Sequence, residues 1–334
     1  MTANLAYGDV GIFPRINIYA EPKMLMVADP IIVLGKLGMT KVMPRNKSQT
    51  IEWRRAKPFA AVTTPIAEGV TPNTTKFAFE NVRGTLRQYG MVTNWTDIIE
   101  DTHEDPVVQE MVGQMGDNFG RTIEALNWAK LRAGTNVYYA NGSARAAVNT
   151  TLTLNMQRRV VAGLKRQKAK KKTSMLAPSV NYQTRAVEAA YVAVAHTDLE
   201  PSIRDLPSFV PTSEYGSRST ISPFEIGSVE EVRYITSPDL DPFLDAGGTP
   251  TGVRSNGGSA ADVYPILYFG EEAFGTVALR GYDSVKPTLI PAGTKTKDDP
   301  LGQKGVAGWK TWHECVILNQ SWMARLEVAA PSLL

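Results

Sequence analysis

Apolar and polar positions alternate at period two in three stretches of the chain and recur at intervals of three and four in two others. The clearest alternation lies near the end, where Trp322, Ala324, Leu326 and Val328 interleave with Met323, Arg325 and Glu327. It follows the run Cys315-Val316-Ile317-Leu318 across a polar bend, Asn319-Gln320-Ser321, and so predicts a β-hairpin with one buried face. A second alternation covers Thr50 to Phe59, with Ile51, Trp53 and Arg55 against Glu52 and Arg54. A third covers Lys76 to Thr93, with Phe77 and Phe79 against Ala78 and Glu80. Between these two strands Thr63 to Asn73 supplies Pro65, Gly69, Pro72 and Asn73, the turn chemistry of a long hairpin tip. Arms of ten or more residues, at roughly 3.3 Å each, predict a ribbon on the order of 35 Å long. A lone two-stranded ribbon is marginal in water, and an apolar side carrying Trp53, Phe77 and Phe79 gives it the means to lie on a surface. On pattern alone, the ordinary surface is the body of its own domain.

Helical spacing is strongest over 106–133. Asp105 is suited to the N-cap, Pro106 to the first helical position and Gly134 to the C-terminal stop. Between them Val108, Met111, Val112, Met115, Phe119, Ile123 and Leu126 form one apolar stripe. The acidic residues Asp97, Glu100, Asp101, Glu104 and Asp105 precede it, where the helix dipole favours negative charge, and capping explains them better than catalysis. A second helix is predicted from Leu154 to about Lys171, with Met156, Val160, Val161 and Leu164 on one face. It runs into the basic residues Lys165, Arg166, Lys168, Lys170, Lys171 and Lys172. A solvated end favoured by the dipole accounts for this run; the sharper alternative is contact with nucleic acid or an acidic partner. Residues 1–47 mix Gly, Pro and short apolar pieces and predict an extended arm. From Val187 to Ile235 the chain turns strand-rich, Asp245 to Asp262 is a glycine-rich stretch expected to be a mobile loop, and apolar strands resume from Val263.

At 334 residues the chain exceeds what one core usually serves, so two domains are expected. A formal charge of +3 argues against a dedicated nucleic-acid binder, and the single cysteine, Cys315, excludes an intrachain disulfide and a multi-cysteine zinc site. Met1 to Pro14 lacks the pattern of a secretory signal, and the apolar stretch Met24 to Met39 is interrupted by Asp29, Pro30 and Lys36, so synthesis in the cytoplasm and no membrane span are expected. His103, His196 and His313 show no metal-binding spacing. His313, Glu314 and Cys315 are adjacent on a strand, where neighbours face opposite ways, so a buried core cysteine is favoured over a thiol nucleophile. Phosphate-binding glycine loops and a nucleophile elbow are both lacking. No catalytic residue, metal site or cofactor is assigned.

In order along the chain, five parts carry a resemblance: the Thr64-Pro65 to Glu68-Gly69 tip, the strand with Gln88-Tyr89-Gly90, the long helix, the Tyr264-Pro265 and Gly270–Gly281 strands, and Trp309-Lys310 to Glu327. Over roughly residues 48–330 the chain resembles tailed-phage major capsid proteins of the Hong Kong 97-like fold, closest to the podophage type of phage N-four. The resemblance implies an α+β fold in five pieces: an N-terminal arm (1–47), a long E-loop hairpin (48–92), a peripheral domain (93–153) with a spine helix (106–133), an axial domain (154–285), and the C-terminal part of the peripheral domain (286–334). It implies a structural subunit that assembles with itself into hexamers and pentamers of an icosahedral shell around double-stranded DNA. Against the ordinary expectation for a hairpin, it lays the E-loop across a neighbouring subunit, with Trp53, Arg55, Glu68, Phe77 and Phe79 as intersubunit contacts. The basic run 165–172 then becomes a candidate contact with packaged DNA or an acidic scaffold.

Only about 50 residues precede the hairpin and they lack a long heptad pattern, so a separate scaffolding protein is expected, with a portal protein and a decoration protein as further partners. Residues 60–75 contain no lysine, so isopeptide cross-linking at the tip is not expected. The expected location is the virion capsid. Two alternatives stand beside this reading: an encapsulin-like compartment subunit with the same fold, and, from a different class, a β-rich enzyme or carbohydrate-binding protein.

Overall fold

The computed structural model describes residues 33–66, 68–69, 71–102, 107–176, 184–216, 218–279, 286–295 and 298–333. In chain order the elements begin with helix α1 (Leu34–Leu37), strands β1 (Met39–Met43), β2 (Thr50–Ala56), β3 (Phe79–Thr85) and β4 (Arg87–Thr96), and helices α2 (Asp97–Thr102) and α3 (Val107–Leu131). Strand β5 (Val137–Tyr139), helix α4 (Leu154–Arg166), strands β6 (Lys172–Leu176) and β7 (Thr184–His196) and helix α5 (Glu200–Arg204) follow. The remaining strands are β8 (Phe209–Pro211), β9 (Glu225–Val229), β10 (Val232–Ser237), β11 (Val263–Phe269), β12 (Phe274–Leu279), β13 (Lys286–Ile290), β14 (Lys304–Ile317) and β15 (Met323–Ala329).

The apolar stripe of α3 divides between two sheets. Its first half sets Val112, Met115, Phe119 and Ile123 against Trp95 of β4 and Ala307 and Trp309 of β14. The Phe119 and Trp309 rings meet edge to face at 5.2 Å. Further along the helix, Trp128 and Leu131 join Val192, Val194, Leu267 and Phe269 of β7 and β11, together with Leu34 and Leu37 of α1. The first sheet has the order β1-β12-β14-β13, with β4 also paired to β14. The second has the order β5-β15-β11-β7-β10-β9-β8, with β6 on β7. Strands β10, β11 and β15 are buried along their whole length. One face of this sheet carries the core that includes Val160, Val161 and Leu164 of α4 and Ile203 of α5, and the other carries the core reached by α3.

Several expectations are corrected. The expected terminal hairpin does not form: β14 belongs to the first sheet and β15 to the second. Its polar alternation is not a solvent face, because Arg325 and Glu327 are buried and pair at 2.9 Å in the interior. The stretch expected as one strand over 76–93 breaks at Leu86, whose buried side chain separates β3, paired to β2, from β4, paired to β14. Helix α4 stops at Arg166 rather than near Lys171. Lys168 turns left-handed at φ 54°, and the Ala169 N–H returns to the Leu164 carbonyl at 3.0 Å, burying Ala169. The glycine-rich loop is stitched to the body: Gly247 N–H donates to Ala261, Gly248 N–H to Val148, and Arg254 pairs with Asp198 at 2.6 Å. A Cβ at Gly247 would lie 2.3 Å from the Val148 carbonyl, so glycine there serves close packing rather than mobility. Most of the expected arm, residues 1–32, lies outside the described residues, as do His103 and the expected Asp105-Pro106 cap.

Candidate assembly surface

Antiparallel pairing of β2 and β3 runs from Thr50 opposite Thr85 to Ala56 opposite Phe79. The Lys57 N–H to Ala78 carbonyl bond, at 2.9 Å, extends it by one step. The paired arms are therefore seven residues each, about 23 Å at 3.3 Å per residue and not the longer ribbon expected. Beyond them the described part of 58–78 is exposed throughout.

Register decides what each face does. Directly opposed residues share a face, so Ile51, Trp53 and Arg55 lie with Gly84, Val82 and Glu80, and Phe79 lies with Ala56 on the opposite side. The Trp53 face is the inner one: Ile51 and Trp53 pack on Met43, Leu86 and Val277 of the same subunit. Gly84 is buried there, where a Cβ would meet Val316 at 2.5 Å. The expected single apolar side of Trp53, Phe77 and Phe79 is thus split, because a residue pair one step out of phase sits on the other face of the pleat.

Outward, Phe77 and Phe79 are 56% and 54% exposed, with their rings edge to face at 4.7 Å and Phe59 at 5.9 Å from Phe77. Val62 and Ile66, further along the chain toward the tip, are exposed as well, as is Glu68. Arg55 is held by Glu80 at 2.7 Å, a bond that lowers the Glu80 pKa. Phe59, Val62 and Ile66 were not singled out from the sequence, although their large apolar side chains stood among turn residues with no partner strand to cover them. The exposed cluster of Phe59, Phe77 and Phe79 marks an interaction surface.

The basic run does not form one patch. Lys165 and Lys171 reach Glu231 at 2.7 and 3.1 Å, and these bonds hold its carboxyl below the usual range. Lys172 donates to the Leu37 carbonyl at 2.7 Å, and its burial brings its pKa down to about 8. Arg166, Lys168 and Lys170 remain exposed without an ion pair among the described residues. Burial pushes the Cys315 thiol up to about 12, so at neutral pH it is a thiol and not the nucleophilic thiolate, and it pushes the His313 imidazole down to about 4. His313 Nε2 lies 2.8 Å from Asn127 Oδ1, a hydrogen bond between strand and helix. Among the described residues no cluster of side chains could hold a metal ion.

Two sheets spanned by one long helix, with a hairpin carried outside both and uncovered on its outer face, define the Hong Kong 97-like fold that the chain shares with solved phage capsid structures. Residues 80–326 match the family model described as phage capsid protein, and the chain belongs to that family. It is 22% identical over 268 residues to the major capsid protein of Pseudomonas phage KPP21, covering 75% of this chain and 68% of that one. Among solved structures, the capsid of Ralstonia phage GP4 matches with a TM-score of 0.64 at 12% identity over the whole of both chains. The mature capsid of bacteriophage PhiM1 matches at 0.57 and 11% identity over 98% of this chain and 92% of its own.

Proposed function

We propose that this protein is a major capsid subunit that assembles with copies of itself into hexamers and pentamers of an icosahedral shell enclosing double-stranded DNA. The observation that carries this reading is the outer face of the hairpin. Phe59, Phe77 and Phe79 form an aromatic cluster that the subunit does not cover, on a projection whose inner face is already anchored. A neighbouring copy supplies the missing surface, with Glu68 and the tip residues at the contact, while Trp53 and Arg55 hold the projection in place. The expected division into an arm (1–47), an E-loop hairpin (48–92), a peripheral domain (93–153 and 286–334) and an axial domain (154–285) is adjusted by strand pairing: β12 and the arm's β1 go with β14 in the peripheral part, and β5 and β15 go with β11 and β7 in the axial part. The role is structural rather than catalytic.

A separate scaffolding protein, a portal protein and a decoration protein are the partners proposed with it, and the virion capsid is its place after synthesis in the host cytoplasm. Contact with packaged DNA falls to Arg166, Lys168 and Lys170, weak and salt-dependent. An encapsulin-like compartment would enclose a protein cargo instead, and the contents of purified particles separate the two. Deleting residues 60–75 tests the central point. The expected product is a folded subunit, with an unchanged melting temperature, that forms no shells in electron micrographs when co-expressed with its scaffold. Complete shells from the deletion variant would refute the role given to the hairpin.

A further inference from the structure

Three arginines from separate parts of the chain converge on one aromatic ring. Arg145 stacks with its guanidinium carbon 3.5 Å from the Phe243 ring centre, while Arg132 lies at 5.2 Å and Arg325 at 6.0 Å. Arg132 follows the end of α3, Arg145 opens the short turn Arg145–Ala147, and Arg325 sits in β15. One buried carboxylate faces them. Glu327 accepts from Nε and Nη2 of Arg145 at 2.8 Å each and pairs with Nε of Arg325 at 2.9 Å. Arg132 has only a long bond, 3.4 Å, to the Asp241 carbonyl. Among the described residues Glu327 is the carboxylate paired with this cluster, so three guanidinium charges meet one negative charge there.

We propose that Arg132, Arg145 and Arg325 form a receptor for a phosphate group, with Glu327 holding two of them in place from beneath. The cluster grades from interior to surface, since the Arg325 side chain is 9% exposed and that of Arg145 33%. Nη1 of Arg145, both Nη groups of Arg325 and Nε and Nη2 of Arg132 make no hydrogen bond among the described residues. Guanidinium forks match oxyanions in pairs of parallel bonds, and a phosphate offers oxygens in more directions than a carboxylate, so it can take donors from several forks at once. Burial and the nearby Arg145 both lower the pKa of Arg325, a repulsion that a bound anion would relieve. The two acids nearest this ring in sequence are engaged elsewhere: the Asp241 carboxylate acts on His196, and Asp245 Oδ1 accepts the Ala260 N–H at 2.6 Å. The inference is independent of the hairpin and of shell formation.

The test uses the full-length purified subunit. Calorimetric titration with inorganic phosphate and with pyrophosphate, at ionic strength matched with chloride, is run beside titration with a short DNA duplex. Two variants accompany it: Arg132→Gln, which disturbs no buried pair, and Arg145→Lys, which keeps the charge Glu327 requires but removes the fork. Phosphate binding should exceed chloride binding and weaken about tenfold in either variant, the size expected when a charge-assisted bond is lost. Parallel weakening of duplex binding would identify DNA as the source of the phosphate; weakening for the small anions alone would identify a free phosphate. No preference of the parent protein for phosphate over chloride, or equal phosphate affinity in Arg132→Gln, would overturn the proposal and leave the cluster as an anchor for Phe243. Loss of shell assembly in Arg132→Gln with phosphate affinity unchanged would likewise overturn it and assign the arginines to an acidic side chain of a neighbouring copy.

Discussion

The carboxyl group of Glu124 accepts the backbone N–H of Leu34 at 3.2 Å through either oxygen, inside a core where Glu124 itself has no exposed surface. Helix α3 thereby holds the start of α1, and the Lys172 ammonium holds its end through the Leu37 carbonyl. Burial pushes the Glu124 pKa up to about 8, from the ordinary carboxylate value of 4.5. A raised acid contributes stability in full below its unfolded pKa and loses it as pH rises toward the folded value, here from about 4.5 to about 8.

Glu124→Gln should therefore flatten the pH dependence of stability between pH 6.5 and 8. The parent protein should lose up to about 1.4 kcal/mol per pH unit there, the limit for one proton. Denaturant melts at three pH values measure it. An equal slope in the variant would show that Glu124 already titrates as an exposed acid.

His313 works in the opposite sense. Its folded pKa is lowered to about 4 from 6.5 by burial alone. The unfolded chain binds the proton first, so stability present above pH 6.5 is lost as pH falls toward 4. His313→Gln, which retains a donor for Asn127, should remove most of that acid sensitivity; thermal melts at pH 7 and pH 5 compare the two proteins.

Two glycines should respond oppositely to alanine. A Cβ at Gly305 would lie 2.2 Å from the buried Trp95 ring, so Gly305→Ala is expected to destabilise by about 1–3 kcal/mol through overpacking. Gly113, inside α3, has nothing within 4 Å of the added atom, and Gly113→Ala should stabilise by about 0.5–1 kcal/mol. Urea unfolding of the two variants gives both signs.

Much of this architecture is legible because burial imposes spacing. The stripe from Val112 to Ile123 in α3 and the strands from Val263 onward follow from periodicity. The continuation of that stripe through Glu124, Asn127, Trp128 and Leu131 keeps the same three-and-four interval, but two of its members are polar and give no apolar signal. Arg325 and Glu327 misled for a related reason: charge implies solvent only when the charges lack each other, and here they pair with Arg145 in the interior. The hairpin's facing could not follow from pattern, since the phase between two strands depends on a register set across the long connection 57–78.

That register separates two substitutions which composition would treat alike. Trp53 packs on Met43, Leu86 and Val277 of its own subunit, whereas Phe79 lies on the opposite face and is 54% exposed. Trp53→Ala should therefore lower the stability of the isolated subunit by about 2–4 kcal/mol, because it opens a cavity beneath the ribbon. Phe79→Ser should change that stability by less than about 0.5 kcal/mol, as surface substitutions do. Its cost should instead fall on assembly, through the apolar contact a neighbouring copy makes with the outer face. Denaturant melts of the subunit and sedimentation of the co-expressed particles separate the two effects. Normal shells from Phe79→Ser would show that the outer aromatic cluster faces solvent in the assembled state, and the contact would then have to be sought elsewhere on the subunit.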